Sequence, residues 1–371
     1  MKAKDKEKDG LKKERLALLL PGHNEELIIA TTIQSAIAAG MNIDDIYVVD
    51  DDSSDATRDI ALSQLPKKNV LSVPRSGKAR AVMQALEYFD IVNRYEWVHV
   101  ADADSVFCAN YFDIYRRNLD AKKWVAAVGF VQSMPGNWIA TYRSFSYTYG
   151  QHIFRRLQSW LGVIAVLPGP VTCFKTSIIK DLDFETASLT EDFDLTLQIH
   201  RKKLGRIKFI PEAVNFTQDP RTLSDFINQT LRWQRGFFQG VRKYHIGLRP
   251  HKIDAGIGYQ MGESIYYLFQ MLIILPLLFV STHSFSTPIA ILTADFIAIV
   301  VLAVFSALAA RRPIILAALV YFYVLRFLEL GIFIWAFIEV VILRRHQTHT
   351  VGWQTEGRRY EITMGKMEEG K

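Results

Sequence analysis

Cysteine is nearly absent from this chain of 371 residues, which holds only Cys108 and Cys173. The two have no metal-binding spacing, which excludes a disulfide scaffold and a cysteine zinc site and fits a reducing compartment. Also missing is an apolar run in the first 14 residues, Met1 to Glu14, where Lys, Asp and Glu dominate. Such a stretch cannot bury a core and lacks the apolar centre of a secretory signal. It is expected to be a solvated tail before a domain that stays in the cytosol. The formal net charge is +6, yet no zinc or aromatic-plus-basic recognition pattern accompanies the excess, so no nucleic acid is expected as a partner. With apolar spans present, a lipid bilayer with anionic headgroups is the simpler partner.

Hydrophobic residues make up 50 % of the sequence, and they are placed unevenly. Residues 15–250 carry an ordinary mix of charge and apolar periodicity. Three apolar stretches follow, Ser264–Val280, Pro288–Ala310 and Pro313–Leu343. The second and third reach the roughly 20 residues that cross a bilayer, and the first is marginal. Arg311-Arg312 and Arg344-Arg345 mark cytosolic ends. Three full crossings after a cytosolic domain would put Arg344-Arg345 outside. Either the third stretch is not a single simple crossing, or the first lies in the interface. Arg326, Glu329 and Glu339 fall within the third stretch, where charges are expensive and face a partner, a polar cavity or the interface. The expected organisation is a charged tail over 1–14, a cytosolic domain over 15–250, a transmembrane region over 251–345 and a tail over 346–371, in a multi-pass protein of the cell membrane.

Within the first domain, strand-like and helix-like patterns alternate. Leu16–Leu20 is a continuous apolar run that Pro21-Gly22 should end, followed by a helix from about Glu25 to Ala39. Ile46–Val49 is a second strand, with Asp55 expected to cap the next helix. Val70–Val73 is a third, before a helix from Gly77 to about Phe89, and Trp97–Ala101 is a fourth. This alternation predicts an α/β fold with a mostly parallel sheet, whose ligands bind beyond the carboxyl ends of the strands. Asp51, Asp102 and Asp104 all fall at such ends. Residues 137–160 and 222–244 mix aromatics with arginines, and the pattern suits either a helix on a membrane surface or an ordinary surface helix.

Asp102-Ala103-Asp104 puts two carboxylates one residue apart where a strand runs out, a donor set for magnesium or manganese. Four further groups accompany it in order: Pro21-Gly22-His23-Asn24-Glu25-Glu26, Asp50-Asp51-Asp52-Ser53-Ser54-Asp55, Thr190-Glu191-Asp192 and Gln229-Thr230-Leu231-Arg232-Trp233. Taken together they resemble the family-2 inverting glycosyltransferases of GT-A fold. More narrowly, they resemble the membrane-bound branch holding poly-N-acetylglucosamine, hyaluronan, chitin and cellulose synthases.

The resemblance implies a Rossmann-like nucleotide-sugar domain followed by transmembrane helices, Mg2+ or Mn2+ as cofactor, and a UDP-sugar donor. It implies that Asp192 is the catalytic base, with Glu191 supporting it. Asp104 would hold the metal, with Asp102 on the ribose or the metal. Pro21, His23, Asn24, Glu25, Asp51 and Lys78 would contact the nucleotide, Asp51 taking the uracil N–H. Gln229, Arg232 and Trp233 would serve the acceptor and the diphosphate, Trp233 as a flat face for a sugar ring. Arg75, Met83 and Asp52 depart from the family pattern, where Asn, Asn and Gly are common. The acceptor is a growing carbohydrate chain or a lipid-linked one, and the small membrane region suggests a homo-oligomer or an accessory membrane subunit.

Overall fold

A computed structural model describes residues 15–184, 188–248 and 251–345. The two expected tails, 1–14 and 346–371, lie outside the described residues. The strands, in chain order, are β1 (Leu16–Gly22), β2 (Ile46–Asp51), β3 (Val70–Val73), β4 (Trp97–Val100), β5 (Val106–Phe107), β6 (Ala126–Ser133), β7 (Thr172–Lys175) and β8 (Ile207–Thr217). They form one sheet in the order β3-β2-β1-β4-β7-β6-β8-β5. β1, β2, β3 and β4 are parallel, as are β6 and β8, whereas β7 and β5 run against their neighbours. The mostly parallel α/β sheet of the sequence reading is therefore present.

The apolar runs explain why β1 sits near the centre. Ala17 and Leu19 enter the core on one face of the sheet, while Leu16, Leu18 and Leu20 enter the core on the other. A strand buried on both faces must be apolar throughout. Three boundaries differ from expectation. Pro21 does not end β1 but lies inside it, opposite Val49 of β2. The β4 ladder stops at the Leu19–Val100 pair, so Pro21 lies past that neighbour's last pairing. The first helix is Ile29–Ala38 rather than 25–39, because residues 23–26 are spent lacing two loops together. Likewise the helix after β2 is Thr57–Gln64 with Ala56 at its cap position, while Asp55 accepts from the Thr57 N–H at 3.0 Å.

The chain reverses direction of growth between β1, which is followed into β2 and β3 on one side, and β4 on the other. That switch leaves a crevice at the carboxyl ends of β1 and β4.

Residues 137–160 and 222–244 are helical over most of their length. The helix Trp138–Tyr149, capped by the Asn137 side chain on the N–H groups of Ile139 and Ala140, and the helix Leu223–Lys243 lie between the sheet domain and the apolar C-terminal segments. Ile139, Tyr142, Phe145 and Phe226 share one core with Ile299, Ala303, Ile315, Phe322 and Leu325. Among the described residues two helical stretches are long and apolar enough to cross a membrane, Ser264–Thr282 and Ser286–Ala310, with mean hydropathies of 1.9 and 2.6. The third apolar stretch is broken: a tight helical piece, Pro313–Val320, precedes the helix Phe322–Phe337 and wider turns over Ile338–Ile342.

Candidate active site

The loops after β1 and β2 are stitched to one another. His23 Nδ1 lies 2.9 Å from the Asp51 carbonyl. Asn24, in the left-handed region at φ +53, donates its N–H to Ser53 Oγ and accepts from the Ser54 N–H at 2.7 Å. The Glu25 N–H donates to Thr57 Oγ1, and Glu26 accepts from the Ala56 N–H. Asparagine tolerates that backbone better than most residues because its short side chain can bond locally. These contacts give His23, Asn24 and Glu25 a structural task beside the nucleotide role expected of them.

Asp51 is fully buried at the end of β2. Its carboxylate accepts from the N–H groups of Ser76 and Gly77, at 2.7 and 2.9 Å, and pairs with Arg75 at 3.3 Å. The acceptor expected to take a base N–H is thus engaged by the chain's own loop. Gly77 needs its backbone freedom at φ +85 to present that N–H. Arg75, a departure from the family pattern, makes this contact where an asparagine is common.

The helix that begins at Lys78 carries an ammonium into an acidic group. Lys78 pairs with Asp102 at the end of β4 and lies 3.3 Å from Glu191 at the start of the helix Glu191–Arg201. Burial pulls the Lys78 pKa down, but Asp102 and Glu191 outweigh it and hold the ammonium above its ordinary range. Gly169, in the Leu167–Pro170 turn, closes over the pair. A Cβ there would stand 2.6 Å from Lys78 Nζ and 3.0 Å from an Asp102 oxygen. Lys78, Gly169, Thr172, Glu191 and Asp192 line a narrow cavity of about 30 Å³. In sequence Leu167-Pro168-Gly169-Pro170 signals a turn and carries no mark of its seat against Lys78.

Asp192 is half-buried one residue into that helix, and its carboxyl pKa is pushed up to about 6. Burial is the largest cause and the neighbouring Glu191 the next, with Lys78 and Arg232 pulling the other way. A carboxylate so poised holds little charge below pH 6 and can take a proton from a substrate near neutrality.

Asp102 and Asp104 are both half-buried beyond β4, and the turn between them is locked by the Thr32 hydroxyl, which donates to the Ala103 carbonyl at 2.7 Å. No group of three or more His, Cys, Asp or Glu forms a metal cage among the described residues. Magnesium characteristically takes one or two carboxylates and fills its other positions with phosphate oxygens and water, so this donor set fits it.

Gln229, Arg232 and Trp233 lie on the helix Leu223–Lys243. Gln229 is buried, Trp233 is half-buried, and Arg232 is exposed while donating to the Leu189 carbonyl at 3.2 Å. This helix rests directly on the one that carries Asp192. A Cβ on Gly236 would come within 2.8 Å of Thr190 Cβ, and one on Gly240 within 2.8 Å of Phe193 Cδ1. The structure thus brings Lys78, Asp102, Glu191 and Asp192 into contact range, with Arg232 near enough to act on the Asp192 charge. His23 to Glu25 and Asp51 form a separate laced group at the ends of β1 and β2. Arg143 was passed over in sequence. Its guanidinium lies 4.8 Å from the Trp233 ring centroid, a juxtaposition that residues 90 apart in the chain do not announce.

A sequence profile described as "Glycosyltransferase like family 2" matches residues 14–236. Poly-beta-1,6-N-acetyl-D-glucosamine synthase of Staphylococcus aureus (strain COL) is 26 % identical over 234 residues, 60 % of this chain and 54 % of that protein. "Probable glycosyltransferase YdaM" of Bacillus subtilis (strain 168) is 27 % identical over 242 residues, 62 % of this chain and 57 % of that one. The chain spans about half the length of the curated relatives it matches. Among solved structures, the mannosyltransferase PcManGT from Pyrobaculum calidifontis, in complex with GDP-Man and Mn2+, superposes with a TM-score of 0.55 at 17 % identity. That match covers 84 % of this chain and 87 % of the other.

Proposed function

The chain belongs to the glycosyltransferase like family 2, and from that premise we propose that it moves a sugar from a UDP-sugar to a growing polysaccharide at a membrane surface. N-acetylglucosamine is the sugar favoured by the likeness to the staphylococcal synthase. The observation that carries the reading is Asp192, a carboxyl with its pKa pushed up to about 6, standing beside Lys78, Asp102 and Glu191 at the crevice.

The chemistry follows from those residues. Asp192 removes the proton of an acceptor hydroxyl as that oxygen attacks the anomeric carbon from the face opposite the diphosphate, which inverts the centre. Lys78 and Arg232 bring positive charge to the diphosphate leaving group, Arg232 with a planar fork suited to phosphate. Mg2+ or Mn2+, held by Asp104 with Asp102, would supply Lewis-acid stabilisation of that leaving group. Trp233 offers its face to the acceptor sugar, and Gln229 on the same helix serves the acceptor or the diphosphate. The loop of Pro21, His23, Asn24 and Glu25 and the buried Asp51 shape the nucleotide end; Asp51 acts there by ordering residues 75–77.

The membrane reading rests on the two apolar helices. The most apolar part of each is only 11 % and 17 % buried, whereas the core helix of a water-soluble protein would be mostly covered. They form a hairpin that returns at Arg311-Arg312, where the Arg312 guanidinium donates to the Ser133 carbonyl at the end of β6 at 2.7 Å. Two crossings keep the catalytic domain, Arg312 and Arg344-Arg345 on one side, the cytoplasmic one by their positive charge. The broken stretch 313–342 then lies along that boundary. This removes the conflict that three crossings created.

Membranes carrying the protein, given radiolabelled UDP-sugars with Mg2+ or Mn2+, should make a ladder of long products from UDP-N-acetylglucosamine, and Asp192→Asn should abolish it. One sugar per lipid would instead establish single addition to a polyprenyl-phosphate acceptor. Failure to bind or hydrolyse any nucleotide sugar would overturn both.

A further inference from the structure

Two charges in the broken apolar stretch bear on the helix that carries Trp233, Glu339 directly through Arg235 and Glu329 by way of Arg143. We propose that one of them, Glu329, is a positioning residue for transfer: it holds Arg143 against the indole of Trp233 and thereby fixes the surface on which the acceptor sugar stacks. The inference rests on the reading of Trp233 as that surface.

Arg143 is buried, its side chain 6 % exposed. Its guanidinium carbon lies 4.5 Å from the Phe226 ring centroid and 4.8 Å from that of Trp233. One amino group donates to Thr230 Oγ1 at 2.8 Å and the other pairs with Glu329 at 3.5 Å, while Nε is buried without a hydrogen-bond partner. Between the two rings, the orientation of this cation is set by two polar contacts, of which only Glu329 is charged.

Glu329 is itself fixed. The Tyr142 hydroxyl donates to its other carboxylate oxygen at 2.7 Å, and Arg326 lies 3.8 Å from that oxygen. Ten residues on, Glu339 takes a two-pronged contact from Arg235 at 2.8 and 3.0 Å, two residues past Trp233. The acceptor helix is thus tied to the apolar stretch on both sides of Trp233.

A guanidinium over an indole face is attracted by the ring and stacks flat on it. A buried cation that loses its counter-charge is strongly disfavoured and moves toward water. Removing the Glu329 charge therefore frees Arg143 and, with it, the tilt of Trp233. The contacts of Glu329 and Arg143 run to Tyr142, Arg326, Thr230, Phe226 and Trp233. Loss of Glu329 should disturb the acceptor and spare the donor.

The test uses the full chain in nanodiscs with UDP-N-acetylglucosamine as donor and a short N-acetylglucosamine oligosaccharide as acceptor. Glu329→Gln keeps the side-chain shape and removes the charge. The expected result is a transfer rate lower by ~10–100-fold, the scale of an ångström's misplacement, with a raised acceptor KM, unchanged donor KM and unchanged hydrolysis of the donor by water. Arg143→Lys, which keeps the charge but not the planar stacking, should give the same split. It also serves if Glu329→Gln fails to assemble. Glu329→Asp should restore part of the transfer rate. Equal loss of hydrolysis and transfer in both variants would overturn the proposal, because it marks a general structural role. Trp233→Ala separates the premises: if it leaves transfer intact, the acceptor-surface reading itself fails. If it impairs transfer while Glu329→Gln and Arg143→Lys do not, only the positioning role fails.

Discussion

The acidity of Asp192 offers a quantitative test, because its causes are separate residues. Its pKa stands at about 6 against an ordinary 3.8, raised first by burial and next by Glu191. The base works only when ionised, so the acid limb of kcat/KM should fall near pH 6 and the rate should climb as pH rises through it. Glu191→Gln removes the second cause while leaving burial in place. The limb should move down by less than half of the total displacement, ~0.5–1 pH unit. At pH 5.0 a base with pKa near 6 is about one-tenth ionised, and one with pKa near 5.3 about one-third, by simple titration. The variant's rate at pH 5.0, normalised to its own plateau at pH 7.5, should therefore exceed the wild-type ratio by roughly threefold, on the same titration. Normalising removes any loss common to all pH values. Lys78→Gln should move the limb upward, since Lys78 pulls this pKa down. Donor turnover across pH 4.5–8.5 at saturating metal measures both. A limb that stays in place in Glu191→Gln, or moves up, refutes the assignment of Asp192 as the titrating base.

Asp104→Asn should raise the Mg2+ or Mn2+ concentration needed for half-maximal turnover by at least ~10-fold, the scale on which metal sites respond to altered coordination; an unchanged metal titration would count against that residue as a ligand. Arg235→Met or Glu339→Met alone should cost about 3–5 kcal/mol, because each leaves a partly or fully buried charge without its partner. The double variant should cost clearly less than the sum, as thermal unfolding in detergent can measure; strict additivity would show that the two do not act as a pair. With Cys108 and Cys173 replaced, Thr282→Cys should react with a membrane-impermeant maleimide on intact cells and Leu343→Cys should not. Labelling of both, or of Leu343→Cys alone, would contradict two crossings.

The parallel half of the sheet was legible because burial on both faces demands apolar runs, and β1, β2 and, His99 apart, β4 have them, while β3 is a half-exposed edge strand carrying Ser72. β5 to β8 were harder. β5 and β7 are two and four residues long, and β7 runs antiparallel between β4 and β6, a placement set by tertiary contact rather than by local pattern. The same holds at the end of the chain. No glycine or proline marks the break at Val320–Tyr321, so Pro313–Leu343 reads as one long span. The sign of something else was chemical: Glu329 and Glu339 do not sit in lipid without partners, and their partners, Arg143 and Arg235, lie in the helices that precede the hairpin. At the candidate site, the family resemblance named Lys78 and Asp102 for the nucleotide and Asp192, with Glu191 supporting, as base, but did not show that the four meet. What no pattern revealed was that the Asp51 carboxylate would be used up by residues 75–77, since those donors are mainly backbone N–H groups that every sequence has.

The approach of Gly236 and Gly240 to Thr190 and Phe193 has a mechanical consequence. Where side chains separate two helices, rotamer changes can adjust the gap between them; here a glycine backbone meets the facing residues directly, and no such slack exists. Asp192 and the Trp233 indole, the base and acceptor surface of the proposed reaction, are carried on the jaws of a calliper locked at one opening. An acceptor of different girth cannot be admitted by prying these helices apart. Adaptation to a new acceptor must come from side chains that project into the gap, and substituting either glycine would change the gauge for every acceptor at once.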